Sequence, residues 1–126
     1  MAPILAQISL GELIDKITIL QIKSLNFQGL SLQNVKTELA ALETTLNNLG
    51  LDIEPKLIKN LKDVNQSLWN IEDEIRDQER KKVFNDKFIQ LARSVYQKND
   101  LRAAIKKEIN ITYNSDLVEE KSYQEY

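Results

Sequence analysis

Two stretches of this chain place apolar residues at alternating steps of three and four, and that spacing restricts the fold more than any other feature. Leu32, Val35, Leu39, Leu42, Leu46 and Leu49 form one stripe; Leu57, Leu61, Val64, Leu68, Ile71 and Ile75 form the other. An α-helix gathers such a series on one side, whereas a strand of period two scatters it over both faces. Gly50 stops the first stripe and Pro55 opens the second, as residues past a helix end and in a first turn do. The short linker between two matched seams predicts that they fold into an antiparallel helical hairpin. With only 3 Gly and 2 Pro in 126 residues, there is little else to break helices.

A further helix is read before the hairpin and another after it. Ser9 followed by Glu12 is the pattern of a capping box, in which each side chain takes the other's backbone amide. Leu10, Leu13, Ile14, Ile17, Leu20 and Leu25 follow on one broad face, with Ile19 and Ile22 opposite, beside Asp15, and Gly29 as the stop. A helix apolar on two sides is one buried between neighbours or at a subunit interface. Phe84-Asn85-Asp86 divides the third helix from a fourth that carries Phe88, Leu91, Ala92 and Val95 and runs to about Tyr113. Asn85 or Asp86 would cap that helix; a single bent rod through this point is the alternative. The expected fold is therefore all-α, an antiparallel bundle of about four helices with long helices three and four. It would form a single domain over residues 1–126, with a polar tail over 114–126.

Charge and composition narrow the chemistry. Lys and Arg number 17 against 19 Asp and Glu, for a net charge of −2, and the two signs are intermixed. Neither nucleic acid nor an anionic membrane is an expected partner of such a surface. There is no Cys and no His, which removes disulfides, thiolate nucleophiles, the commonest general base and the usual transition-metal ligands. No metal and no cofactor is expected, and catalysis by this chain would have to use carboxylates, Lys, Arg, Tyr or hydroxyls. No apolar run approaches membrane-spanning length, and the apolar start lacks a basic leader, so a cytoplasmic protein is expected.

Polar residues occupy positions where the periodicity calls for apolar ones. Helix three's stripe continues through Glu72 and Glu79 with Arg76 at its margin. Helix four's continues past Val95 through Asn99, Arg102, Lys106 and Asn110. If the two helices fold back at 84–86, Glu72 comes level with Asn99 and near Arg102. One reading is an interhelical ion-pair network that fixes register. Another is an anion pocket in which Arg102 and Lys106 grip a phosphate or carboxylate while Asn99 and Tyr96 orient it; a polar subunit interface is the third. The candidate ligand-binding residues are thus Glu72, Arg76, Tyr96, Asn99, Arg102 and Lys106. Asp73, Glu74 and Asp77 point away from the stripe and read as a solvated face rather than a Mg²⁺ site. Trp69 sits at the stripe's edge, where it either packs or walls a pocket.

Several segments together resemble a known family. They are Gly11 through Leu20, Leu68 through Arg76, Phe88 through Tyr96, Asn99 through Lys106 and Val118 through Tyr123. In combination they resemble a family of short bacterial and phage helical proteins that has no assigned activity and is sometimes found alongside polysaccharide or glycosyltransferase functions. The resemblance implies that Glu12, Asp15, Lys16, Trp69, Glu72, Asp73, Arg76, Asn99, Asp100, Arg102 and Lys106 belong to the family's pattern. Ile14-Asp15-Lys16-Ile17 with later cationic residues is similar to helical chorismate mutases, although their order of Arg, Arg, Lys and Glu is not reproduced. Glu12-x-x-Asp15 and Glu74-x-x-Asp77 are similar to all-helical nucleotide pyrophosphohydrolases, without the acidic run ahead of the pair. The expected function is self-association or binding to another protein. The alternative is a module for a small anionic molecule, or a Mg-dependent or chorismate-mutase-like enzyme using the polar cluster.

Overall fold

The computed structural model describes all 126 residues, and the chain forms four helices and no strand. They are α1 (Leu10–Asn26), α2 (Gly29–Asn48), α3 (Pro55–Lys81) and α4 (Asp86–Thr112). The boundaries follow local chemistry. Ser9 Oγ accepts the Glu12 amide at 3.1 Å and opens α1, and Pro55 occupies the first turn of α3. Lys82 leaves α3 in a left-handed conformation (φ 57°), and Asn85 caps α4 by accepting the Phe88 amide at 3.2 Å. Helices three and four are therefore separate rods that fold back on one another. α1 ends at Asn26, earlier than the Gly29 expected from sequence: Phe27 turns to extended backbone, and the Asn26 side-chain amide donates to the Ile22 carbonyl at 2.7 Å. Leu25, in the last turn of α1, is exposed rather than part of the buried apolar face.

α1 is the central element, with α2, α3 and α4 all packed against it. Its Leu10 and Ile14 join Leu57, Leu61 and Val64 of α3 and Ile105 and Ile109 of α4 in one core cluster. Each such side chain contributes roughly 1.5–3 kcal/mol on burial, so this cluster supplies most of the apolar stabilisation. α3 runs parallel to α1, since Leu10 and Ile14 share the cluster with Leu57 and Leu61 while Asn65 reaches Asp15 farther along. α4 runs antiparallel: Asn110 meets Gly11, and Arg102 meets Asp15. The start of α3 is pinned to the end of α4 by the Glu54 amide, which donates to the Tyr113 hydroxyl at 2.6 Å.

The hairpin expected between the second and third helices does not form. No Cα of α2 comes within 8 Å of α3; α2 packs on α1 alone. The reason lies in the width of α1's broad apolar face. Leu13, Ile17 and Leu20 are buried outside the main cluster, and α2 is the remaining helix against α1. The two-residue connection Phe27-Gln28 brings α2 straight back along that side, so its seam is used there. Of that seam only Val35 is fully buried.

α3 and α4 outrun the other helices. The Phe27 ring, just past the end of α1, packs on Trp69 with centroids 6.2 Å apart, and α3 continues from there to Lys81. At 1.5 Å per residue this two-helix arm projects about 18 Å beyond α1. From Gln66 to Ala104 no residue is fully buried.

Gly11 sets how closely α1 approaches α4. A Cβ there would lie 2.5 Å from the Lys106 carbonyl oxygen and 3.0 Å from Asn110 Oδ1, and the first of these is backbone that cannot rotate away. Gly11→Ala should therefore destabilise the fold by about 1–3 kcal/mol in urea unfolding, despite its better helix propensity.

Candidate functional site

Charged groups converge where α1 crosses α4. The Asp15 carboxylate, with 1% of its side chain exposed, takes both forked donors of Arg102: Nε at 2.9 Å on Oδ1, and a second short bond from Nη2 to Oδ2. The Asn65 amide of α3 donates to Asp15 Oδ1 at 2.8 Å and to Thr18 Oγ1 at 2.9 Å, and the Thr18 hydroxyl donates to the Asp15 carbonyl at 2.8 Å. One turn along α4, Lys106 Nζ lies 2.6 Å from Glu12 Oε2, 2.8 Å from Glu119 Oε2 and 3.8 Å from Asp15 Oδ2. Nearer the start of α1, the Gly11 amide donates to Asn110 Oδ1 at 2.6 Å. Ion pairing and saturation by hydrogen bonds are the conditions under which charges tolerate burial.

Two expected pairings are corrected here. Arg102 is paired with Asp15 of α1, not with Glu72, because α1 lies in the groove between α3 and α4 and offers the nearer, drier carboxylate. Glu72 is exposed and sits 3.6 Å from Arg76 on its own helix. Glu12 gives its backbone amide to the Ser9 cap, but its carboxylate is on Lys106, so the capping box is only half made.

Beyond the end of this network lies an open groove of about 490 Å³, between α1, α3 and α4. Glu72, Arg76, Asn99 and Arg102, four of the six candidate residues, line it together with Trp69, Asp73, Asn65, Ile19, Ile22 and Leu68. The size lies within the range of small-molecule sites. The other two candidates stand apart. Lys106 is buried beneath the C-terminal tail, and Tyr96 packs edge-on against Tyr126 with centroids 4.8 Å apart. No three carboxylates converge closely enough to hold a metal ion.

The tail after α4 folds back along it. Glu119 reaches Lys106, Glu120 reaches Lys107 at 2.9 Å, and the Tyr126 hydroxyl donates to Asp100 at 2.7 Å. Hydrogen bonds from Lys106 and then Lys121 hold the Glu119 carboxyl at a pKa of about 2. Burial works against the charge on Lys106, yet its bonds to Glu119 and Glu12 raise its pKa. Arg102 is raised as well, foremost by its bonds to Asp15.

The family of unknown function DUF6165 has a model that matches residues 4–126, nearly the whole chain including the groove, the buried pairs and the tail. The chain belongs to that family. No curated protein and no solved structure matches it.

For this DUF6165 member, the sequence singled out the stretch of α4 that carries Arg102 and Lys106 but did not single out Asn65, Thr18 and Glu119 as members of the same network. Asp15 on the same side of α1 as the apolar Ile19 and Ile22 was the available signal, since a carboxylate in that setting requires a cation. Nothing local marked Glu119, which arrives from an irregular tail.

Arg102→Ala should destabilise the protein by about 3 kcal/mol, because it leaves Asp15 buried without its guanidinium. Arg76→Ala, at an exposed pair, should stay within about 0.5 kcal/mol; urea unfolding of the two variants checks both.

The tail also has a pH signature. Around Glu119 stand Lys106 and Arg102 of α4, Lys121 of the tail, and Glu12 and Asp15 of α1. The folded-state pKa of Glu119, about 2, lies below its ordinary 4.5. Its contribution to docking is therefore complete above 4.5 and is lost as pH falls from there through 2. The NMR signals of Tyr123 and Tyr126 should move to free-chain positions across that window.

Proposed function

We propose that this protein works by self-association, with the α3–α4 arm of one copy packing against the arm of a second. The observation that carries this reading is the arm's lack of burial. Between Gln66 and Ala104 no side chain is fully buried, although the stretch holds Leu68, Ile71, Ile75, Phe88, Leu91 and Val95 at core spacing and exposes Phe84, Ile89, Tyr96 and Leu101. A two-helix hairpin covers only one side of each helix, and such a seam gains its full burial only from further helices.

The surface area supports the same reading. The chain exposes 8956 Å², whereas a compact protein of this mass exposes about 6,900 Å². The extended termini, α2 with its single buried residue and the arm share that excess. A standard interface needs about 800 Å² from each partner. On helical periodicity, Phe88, Ala92 and Val95 of α4 continue the face that Arg102 and Lys106 turn to α1 lower down, so this side of the arm lies open past the end of α1. The α3 residues beside it alternate in sign: Glu72, Arg76, Glu79. A two-fold axis that passes between Glu72 and Arg76 opposes each of these two residues to the unlike charge of the copy, which suits an isologous dimer.

Sedimentation equilibrium of the wild type should give twice the chain mass. Ala92→Arg, at an exposed helical position, should yield a monomer with unchanged helical circular dichroism. A wild type that remains monomeric at high concentration overturns the reading.

A further inference from the structure

Beneath the tail, Arg102, Lys106 and Lys121 line one small cavity of about 40 Å³ with Asn99 and Tyr123. Three carboxylates neutralise these three cations: Glu12, Asp15 and Glu119. They are not held alike. Glu12 and Asp15 stand on α1, fixed by its helical backbone and by its packing against α3 and α4. Glu119 stands on a segment that makes no backbone–backbone hydrogen bond beyond Ser115 and is tied down by side chains alone. It is also the most exposed of the three carboxylates, at 38% of its side chain. An acid with so few restraints is the one that a competing anion can replace.

We propose that Arg102, Lys106 and Lys121 form a binding site for a phosphate or phosphate monoester, which Glu119 fills in the free protein and vacates when the ligand enters. With Glu119 withdrawn, three cations face two fixed carboxylates, and one positive charge is left for the incoming group. A phosphate brings more negative charge and more acceptor oxygens than the carboxylate it displaces, which favours the exchange. The present cavity has room for about one water, and removal of the Glu119 carboxylate adds the space of a second small polar group. Asn99 and Arg102 line both this cavity and the 490 Å³ groove beside Trp69. The two spaces thus flank the same two side chains, and the organic part of a monoester bound under the tail would be directed towards that groove.

Isothermal titration calorimetry with inorganic phosphate at fixed ionic strength tests the exchange. Glu119→Gln should bind phosphate at least ten-fold more tightly than the wild type, and Glu119→Ala, which likewise keeps Lys121, should show the same gain. That second variant excludes a contact made by the new glutamine itself. In the wild type, phosphate should move the backbone amide NMR signal of Glu119 towards its free-chain position, while chloride at the same ionic strength should not. Absence of binding in all three proteins, equal affinities across them, or a Glu119 signal that follows ionic strength alone would overturn the proposal. Each readout is independent of whether the arm self-associates.

Discussion

Everything in the bundle is arranged around a carboxylate that water does not reach. Asp15 is 0% exposed, and a buried charge without a partner would cost several kcal/mol. The fold meets that requirement from two directions, with the Arg102 guanidinium from α4 and the Asn65 amide from α3. Because the fork of an arginine accepts a carboxylate in few orientations, the pair fixes α4 against α1 both along the axis and in rotation. The apolar cluster of Leu10, Ile14, Leu61 and Ile109 supplies most of the stabilisation but tolerates sliding. The ion pair does not. Stability and register thus come from different residues, and Gly11 permits both by letting the backbones approach.

The division explains which parts of the structure could be read from the chain. Helix positions were legible, because caps at Ser9, Pro55 and Asn85 are local chemistry and the stripes have a single period. Pairing of the stripes was not. The seams on α2 and α3 match each other in length and spacing, yet α2 docks on Leu13, Ile17 and Leu20 of α1. A seam records that a helix needs a neighbour without recording which one. Chain connectivity decided the matter through the two residues between α1 and α2.

The polar cluster shows the same limit in another form. Asn99, Arg102, Lys106 and Asn110 stood out because they interrupt an apolar period. Their partners were assigned to α3, since the fourth helix was expected to face the third there. In the structure α1 lies between them, so Arg102 finds Asp15 and leaves Glu72 in solvent. Glu119 was beyond the reach of periodicity altogether, because an irregular tail has no period to interrupt.

The arm is joined to the bundle in an unusual way. Past Trp69 its two helices pack on each other, with the tail's Tyr126 against Tyr96, and its tip is closed by a self-contained turn, with Lys82 in the left-handed region and Asn85 as cap. Nothing in the buried ion pairs refers to how far away that turn lies. Equal insertions of seven residues into α3 and α4 would preserve the apolar spacing of both and lengthen the arm by about 10 Å. The bundle is therefore a fixed base carrying a strut of adjustable reach, and the distance between whatever it holds at either end is a dimension that can change without refolding the protein.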